Sequence, residues 1–192
     1  MEKSTITPIK PSNDQLTNWW KWALSFPEGP DSPFSISIGD RFHEVSKQTL
    51  EDIYCLACTA GKGNTGKVVR PTLEYAINSG KDIFVPILVT AVEDSANLSE
   101  QHPENLTTAP IFKINGNSAN VFDIDLSIDV PVTEDNEFSI NNGKTRTLHT
   151  RNKCALIKKE EASNLESVEF GGKLGHVSET DTDIFVTLVE FN

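Results

Sequence analysis

Two cysteines three residues apart, Cys55 and Cys58, are the first residues in this chain whose types and spacing could do chemistry. A C-x-x-C pair serves zinc or a redox couple when it sits in a turn or at a helix start. Here it lies inside an apolar, strand-like run, residues 53–59. Positions i and i+3 of a strand face opposite sides, so the two thiols diverge. Cys154 with His149 or His176 could complete a ligand set in space, yet no second pair has ligand spacing. Free core cysteines are the simpler expectation.

Residues 61–67 read G-x-x-x-x-G-K, the start of a phosphate-binding loop. Such a loop next needs Ser or Thr for magnesium and a helix whose N-terminus faces the phosphates. Val68 takes the hydroxyl position, and Pro71 follows in a run that reads as an interrupted strand. The expectation is a hairpin-type loop. The four histidines, His43, His102, His149 and His176, are scattered. His43 has Asp40, Arg41 and Glu44 around it, which could tune a general base or help hold a ligand. A surface loop histidine is the competing reading. No G-x-S-x-G nucleophile signature is present.

Asp123, Asp125 and Asp129 share one parity of residues 121–130 and raise a calcium hypothesis. Calcium takes six to eight oxygens, usually gathered in loops, and no EF-hand spacing occurs here. A solvated sheet face, whose charges discourage edge pairing, explains the same residues. Apart from calcium at that face, no cofactor is expected. Trp22 is a candidate sugar platform, because flat aromatics stack on pyranose faces and it falls off the apolar stripe of its helix. Burial explains its neighbours Trp19 and Trp20 equally well.

The elements that must position these residues follow from periodicity. Phe122, Ile124, Leu126, Ile128 and Val130 alternate with Asp123, Asp125, Ser127 and Asp129. A period of two belongs to a strand with one face in a core and one in water. Near the N-terminus, Ser12 or Asn13 can cap a helix, with Asp14 at its positive end. Leu16, Trp19, Trp20, Ala23 and Leu24 form its apolar face, and Pro27 stops it. Residues 83–89 are apolar on both faces and predict a central strand, with a bulge or edge at Pro86. Residues 111–114 and the turn Asn115-Gly116-Asn117 predict a hairpin. Further strand signals fall at 34–38, 138–140, 145–149, 154–158, 167–170 and 184–191.

The fold class is therefore mainly β: an antiparallel β-sandwich or jelly roll with one N-terminal amphipathic helix and no βαβ alternation. Residues 1–11 read as a loose arm or extended lead-in, and 12–192 as a single β-sandwich domain. At 192 residues, one domain with a real core is the natural size. The net charge of −11 repels phosphate backbones, so nucleic acid is not an expected partner. No apolar run approaches the roughly 20 residues that cross a bilayer, so no membrane partner is expected either. The odd count of three cysteines and the absence of an apolar leader point to the cytoplasm.

Taken in order, several blocks resemble an uncharacterised family of prokaryotic proteins. They are W-W-K-W-A-L-S-F-P at 19–27, Y-C-L-A-C-T at 54–59 and I-N-S-G-K-D-I-F-V-P-I at 77–87. The family carries a Trp-rich N-terminal helix ending in Pro, a W-F-L-A-G-T strand and an I-P-A-G-K-x-x-F-x-P-I segment. Its later block, F-D-x-x-L then P-x-D-N-x-F, is similar to residues 122–126 and 131–138, and a Thr-Arg pair follows at Thr145 and Arg146. Asn78 and Ser79 stand where the family has Pro-Ala, and Cys58 where it has Gly. The resemblance implies a shared fold and brings no catalytic residue with it.

The leading functional expectation is a β-sandwich module without catalysis that binds a protein or a small molecule. An alternative is a metal-dependent or acid/base hydrolase on a jelly-roll scaffold. A third is a structural, self-assembling protein, which would form a homo-oligomer.

Overall fold

A computed structural model describes residues 5–26, 50, 52–56, 60–61, 67–68, 71–93, 110–131, 145–174 and 184–191. In chain order the elements are α1 (Asn13–Ala23), β1 (Ile53–Cys55), β2 (Ala60–Gly61), β3 (Lys67–Val68), α2 (Pro71–Asn78) and β4 (Asp82–Glu93). Then come β5 (Ile111–Ile114), β6 (Asn117–Ser118), β7 (Phe122–Pro131), β8 (Thr145–Ile157), α3 (Lys159–Ala162), β9 (Val168–Leu174) and β10 (Ile184–Phe191). The architecture is mostly β, with few helices. One sheet has the order β1-β4-β8-β7. The other runs β2-β10-β9-β5-β6, with β3 also on β10. Both sheets are open and rich in antiparallel pairs. The strand signals at 34–38 and 138–140 lie outside the described residues.

α1 forms where its cap permits. The Ser12 hydroxyl accepts the Gln15 N–H at 3.1 Å, and the Gln15 side-chain oxygen accepts the Ser12 N–H at 2.9 Å. This reciprocal box satisfies two donors that a helix start otherwise leaves unpaired. Asp14 and Lys21 complement the helix dipole at the two ends. The apolar face then docks on the first sheet. The Trp19 ring stacks on Phe84 of β4, centroids 5.6 Å apart, and meets Trp20 edge-on at 5.1 Å. Its indole N–H donates to the Leu56 carbonyl just past β1 at 3.0 Å.

β4 is central, between β1 and β8, as its two apolar faces predict. Its register on β8 slips between Pro86 and Leu88. A proline has no N–H for the ladder, and the bulge absorbs the missing bond. β7 pairs with β8 from Phe122↔Cys154 to Pro131↔Thr145. Ile124 and Ile128 are buried while Asp123, Asp125, Ser127 and Asp129 are exposed, so the period-two reading of this strand holds.

Four expectations are corrected. β1 and β4 pair in parallel, with Tyr54↔Ile83 in register, and α2 lies in the connection between them. A parallel pair cannot be joined by a tight hairpin and needs such a crossover, so βαβ connectivity is present after all. α2 itself replaces the interrupted strand expected around Pro71. Proline is well suited to the first turn of a helix, where its missing N–H costs nothing. The two strand signals at 145–149 and 154–158 belong to one strand, β8. Finally, the segment between the strand signals at 154–158 and 167–170 holds a short helix, α3, beside the one helix expected.

β8 escapes a simple pattern because two polar residues sit in its buried face. Leu148, Thr150, Asn152, Cys154 and Leu156 share one parity and are all buried. The Trp20 indole donates to Asn152 Oδ1 at 2.9 Å. Asn152 Nδ2 donates to the Ile124 carbonyl at 2.9 Å and to Thr150 Oγ1 at 2.8 Å. Thr150 in turn donates to the Leu126 carbonyl at 3.0 Å. These contacts tie α1, β8 and β7 together through groups that water does not reach.

The N-terminal lead-in is extended over its described part, residues 5–11. Ile9 and Leu156 exchange two backbone hydrogen bonds of 2.9 Å on β8, just beyond the last β7 pair. Ile6, Pro8 and Pro11 are buried. Just beyond the same end of β8, the Asp82 carboxylate at the start of neighbouring β4 accepts the Lys159 N–H at 3.0 Å and the Lys158 ammonium, capping α3. The hydrogen bond to Asp82 raises Lys158 above its ordinary 10.5. That contribution to stability is complete below 10.5 and is lost as the pH climbs through the folded-state value.

Among the described residues, no helix is long and apolar enough to cross a membrane. The buried side chains of both sheets and of α1 form one core, from Trp19, Phe84 and Leu156 to Phe112 and Phe170. Replacing Asn152 with Ala strands the buried Trp20 N–H. The expected loss is about 2–3 kcal/mol in urea unfolding, the cost of a buried unpaired donor plus a small cavity. A loss below about 0.5 kcal/mol, the range of ordinary surface changes, contradicts this role for the network.

Candidate functional site

The acidic face of β7 is half of a cross-strand ladder. Asp123 pairs with the Lys153 ammonium, Asp125 with Arg151 at 3.8 Å, Ser127 with His149 Nδ1 at 2.7 Å, and Asp129 accepts from Thr147 at 2.6 Å. Each partner is directly opposite in the β7–β8 register. Directly opposed residues are the sheet's interacting unit. Same-face residues on one strand stand about 7 Å apart per two residues, and each of these carboxylates faces its own partner on β8. Among the described residues, no three His, Cys, Asp or Glu side chains converge as a metal set.

Ser127 and His149 form a hydroxyl–imidazole pair, which is half of a nucleophilic device. The pair lies on an outward sheet face. β8 is laddered to β4 on one side and β7 on the other, so its backbone donors serve the sheet. An oxyanion hole requires free, convergent donors. The geometry therefore makes this pair a cross-strand contact.

Cys55 and Cys154 are fully buried, and burial pushes both thiols up to about 12. The thiolate is the nucleophile and the metal ligand, so neither sulfur is poised for that work. Cys58 and His43 lie outside the described residues. Trp22 is buried to 5% exposure, and its ring meets Phe26 edge-on at 5.4 Å. Gly61 and Lys67, at the ends of the G-x-x-x-x-G-K run, pair with Phe185 and Glu190 of β10. α2 starts only at Pro71, so Lys67 does not lead directly into a helix as a phosphate loop requires.

A cleft of about 210 Å³ lies beside the β5–β6 hairpin. Ile6 and Ile114, both buried, supply its apolar part together with Ala119. Thr5, Asn117, Ser118 and Glu166 supply an exposed polar rim. The hairpin turn is Asn115-Gly116, with φ of 52° and 78°. Two positive φ values in succession define the tight turn that matches strand twist, and Asn-Gly is the pair that tolerates it. Asn115 then welds the turn to the segment before β9. Its Oδ1 accepts the Glu166 N–H at 2.7 Å and the Ser167 N–H at 3.1 Å. Its Nδ2 donates to the Asn164 carbonyl at 2.8 Å, and its own N–H donates to the Ser167 carbonyl at 2.9 Å.

Sequence reasoning found the turn and missed the cleft. The walls come from the lead-in, the hairpin and residue 166, which no spacing rule links. The ladder had a legible signal: Thr147, His149, Arg151 and Lys153 alternate with the complementary polarity to the β7 face.

Set against known protein families, curated proteins and solved structures, the chain matches no family model, no curated protein and no solved structure.

The thiol assignments are directly checkable. At pH 8 the folded protein should leave Cys55 and Cys154 unmodified by iodoacetamide in peptide mapping, while urea-unfolded protein is alkylated at both. Alkylation of either in the folded protein contradicts the burial described.

Proposed function

We propose that this protein is a binding module without catalysis, built as a β-sandwich, and that the cleft beside the β5–β6 hairpin seats its ligand. The shared core and the contact between β4 and β9 support the sandwich. The observation that carries the function is the cleft: an apolar floor and a polar rim, with the hairpin side tied to residues 164–167 by four Asn115 hydrogen bonds. A concave space that joins an apolar patch to several placed polar groups has the ingredients of a ligand site, and here the polar groups predominate. At about 210 Å³ the space suits a small molecule or a single side chain of a partner protein. The proposed kinship with the prokaryotic family named above rests on the quoted residue blocks and assigns no reaction.

A second reading, an acid/base hydrolase, draws only on the Ser127–His149 contact. Ester hydrolysis lost in Ser127→Ala would favour it.

The cleft reading is tested by amide-resolved NMR with a library of small polar compounds. Binders should shift the amides of Asn115, Asn117, Ser118 and Ala119. Ser118→Trp, which fills the space, should abolish those shifts while changing stability by no more than about 0.5 kcal/mol, as for other exposed sites. Shifts that persist in Ser118→Trp, or that map to the β7–β8 face, contradict it.

A further inference from the structure

We propose that the outer edge of β7 is a docking strip for an extended segment of a partner protein in which Lys or Arg alternates with apolar residues. The parity of β8 fixes what that edge presents. Phe84 of β4 lies opposite Leu156 on one side, so Ile9, which exchanges both backbone hydrogen bonds with Leu156, is on the other, the side that β7 takes from Cys154 onward. Backbone groups alternate sides along a strand, so Cys154, Asn152, Thr150 and Leu148 also turn theirs toward β7. Their register partners, Phe122, Ile124, Leu126 and Ile128, spend their N–H and C=O groups on β8. The residues in between, Asp123, Asp125, Ser127 and Asp129, turn theirs away from it, and all four are exposed. Among the described residues no strand pairs there, since β7 ends the order β1-β4-β8-β7. Pro131 shares the outward parity and has no N–H, so the row of donors closes at Asp129.

A row of outward backbone donors and acceptors is met by a strand added to the sheet. Residues 123–129 offer it about 20 Å of pairing. Directly opposed side chains then decide which strand fits. One face of the strip carries Asp123, Asp125 and Asp129. The Asp123 and Asp125 side chains keep 73% and 71% of their surface in water beside their β8 partners, which leaves room for a second cation from the outer side. The opposite face is apolar, and there Phe122 and Leu126 are only part-buried against the core. A strand that alternates basic and apolar residues complements both faces, and the net charge of −11 attracts it from a distance. A second copy of this chain would set one Asp row beside another, so like charges disfavour it. The same carboxylates thus exclude wrong strands and select a basic one. This surface is separate from the cleft and does not rest on the cleft reading.

The test is amide hydrogen exchange and NMR titration of the intact chain with end-blocked peptides. In the free protein the amides of Asp123, Asp125, Ser127 and Asp129 should exchange fast and those of Ile124, Leu126 and Ile128 slowly; the reverse pattern overturns the proposal. The peptide K-V-T-V-K-V-K should slow the four outward amides. It should bind about 10-fold more tightly than E-V-T-V-E-V-E or the regrouped K-K-K-V-V-V-T, the scale of three cross-strand pairs together, and added salt should weaken it. Asp125→Asn should weaken it by about 3- to 5-fold, the scale of an exposed ion pair. Ser127→Pro, which removes a donor from the middle of the row, should abolish binding. Methylating the Lys and Thr backbone nitrogens of the peptide should abolish it too, which keeps the test decisive if Ser127→Pro fails to fold. Equal binding of the three peptides, or shifts at Asn115–Ala119 in place of β7, overturns the edge proposal and leaves the cleft reading standing. Outward amides that slow with rising protein concentration and no peptide assign the edge to a second copy and overturn it as well.

Discussion

The hydrogen bond from the Trp20 indole to Asn152 is the contact on which the rest of the structure depends. A polar side chain in the middle of a buried strand face costs free energy unless every group on it is paired. Asn152 is paired on both ends: its oxygen to α1, its nitrogen to Thr150 and to the β7 backbone. The helix therefore has one position on the sheet where the network closes. Apolar packing alone would accept neighbouring positions at little cost. Here a shift of α1 along β8 would leave buried donors without acceptors.

That constraint propagates outward. With α1 fixed, Trp19 stacks on β4 and closes the end of β1, which holds the parallel β1–β4 pair. With β7 held on β8 by the Asn152 and Thr150 side chains, the outer face falls into a register where unlike charges meet. A slip of one residue would turn the Asp face inward, so the inner network and the outer ladder specify the same alignment. On the second sheet Asn115 plays the corresponding part, satisfying a tight turn and a neighbouring segment with one side chain. The turn side of the cleft is shaped by that amide.

Local rules made part of this legible. The β7 strand, the Ser12 cap, the Pro86 bulge and the Asn115-Gly116 turn each depend on a few adjacent residues, and each is where the sequence puts it. The misses are of another kind. Thr150 and Asn152 hid the buried face of β8 because polar residues are read as exposed until their partners are known. Pro71 reads as a breaker in a strand and as a starter in a helix, and only the crossover between β1 and β4 decides which. The β8 partners of Asp123, Asp125 and Asp129 lie 18 to 30 residues away in sequence, and pairing register is not a local property. The cleft was invisible for the same reason, being assembled from three separated segments.

Hydrogen exchange of the indole protons tests the central claim most directly. If the Trp20–Asn152 network locks α1 to the sheet, the Trp20 indole proton should exchange only through global unfolding, with the same urea dependence as the slowest β8 amides. Exchange of that proton at a rate independent of urea, while β8 remains protected, would show that α1 leaves the sheet on its own and would contradict the account.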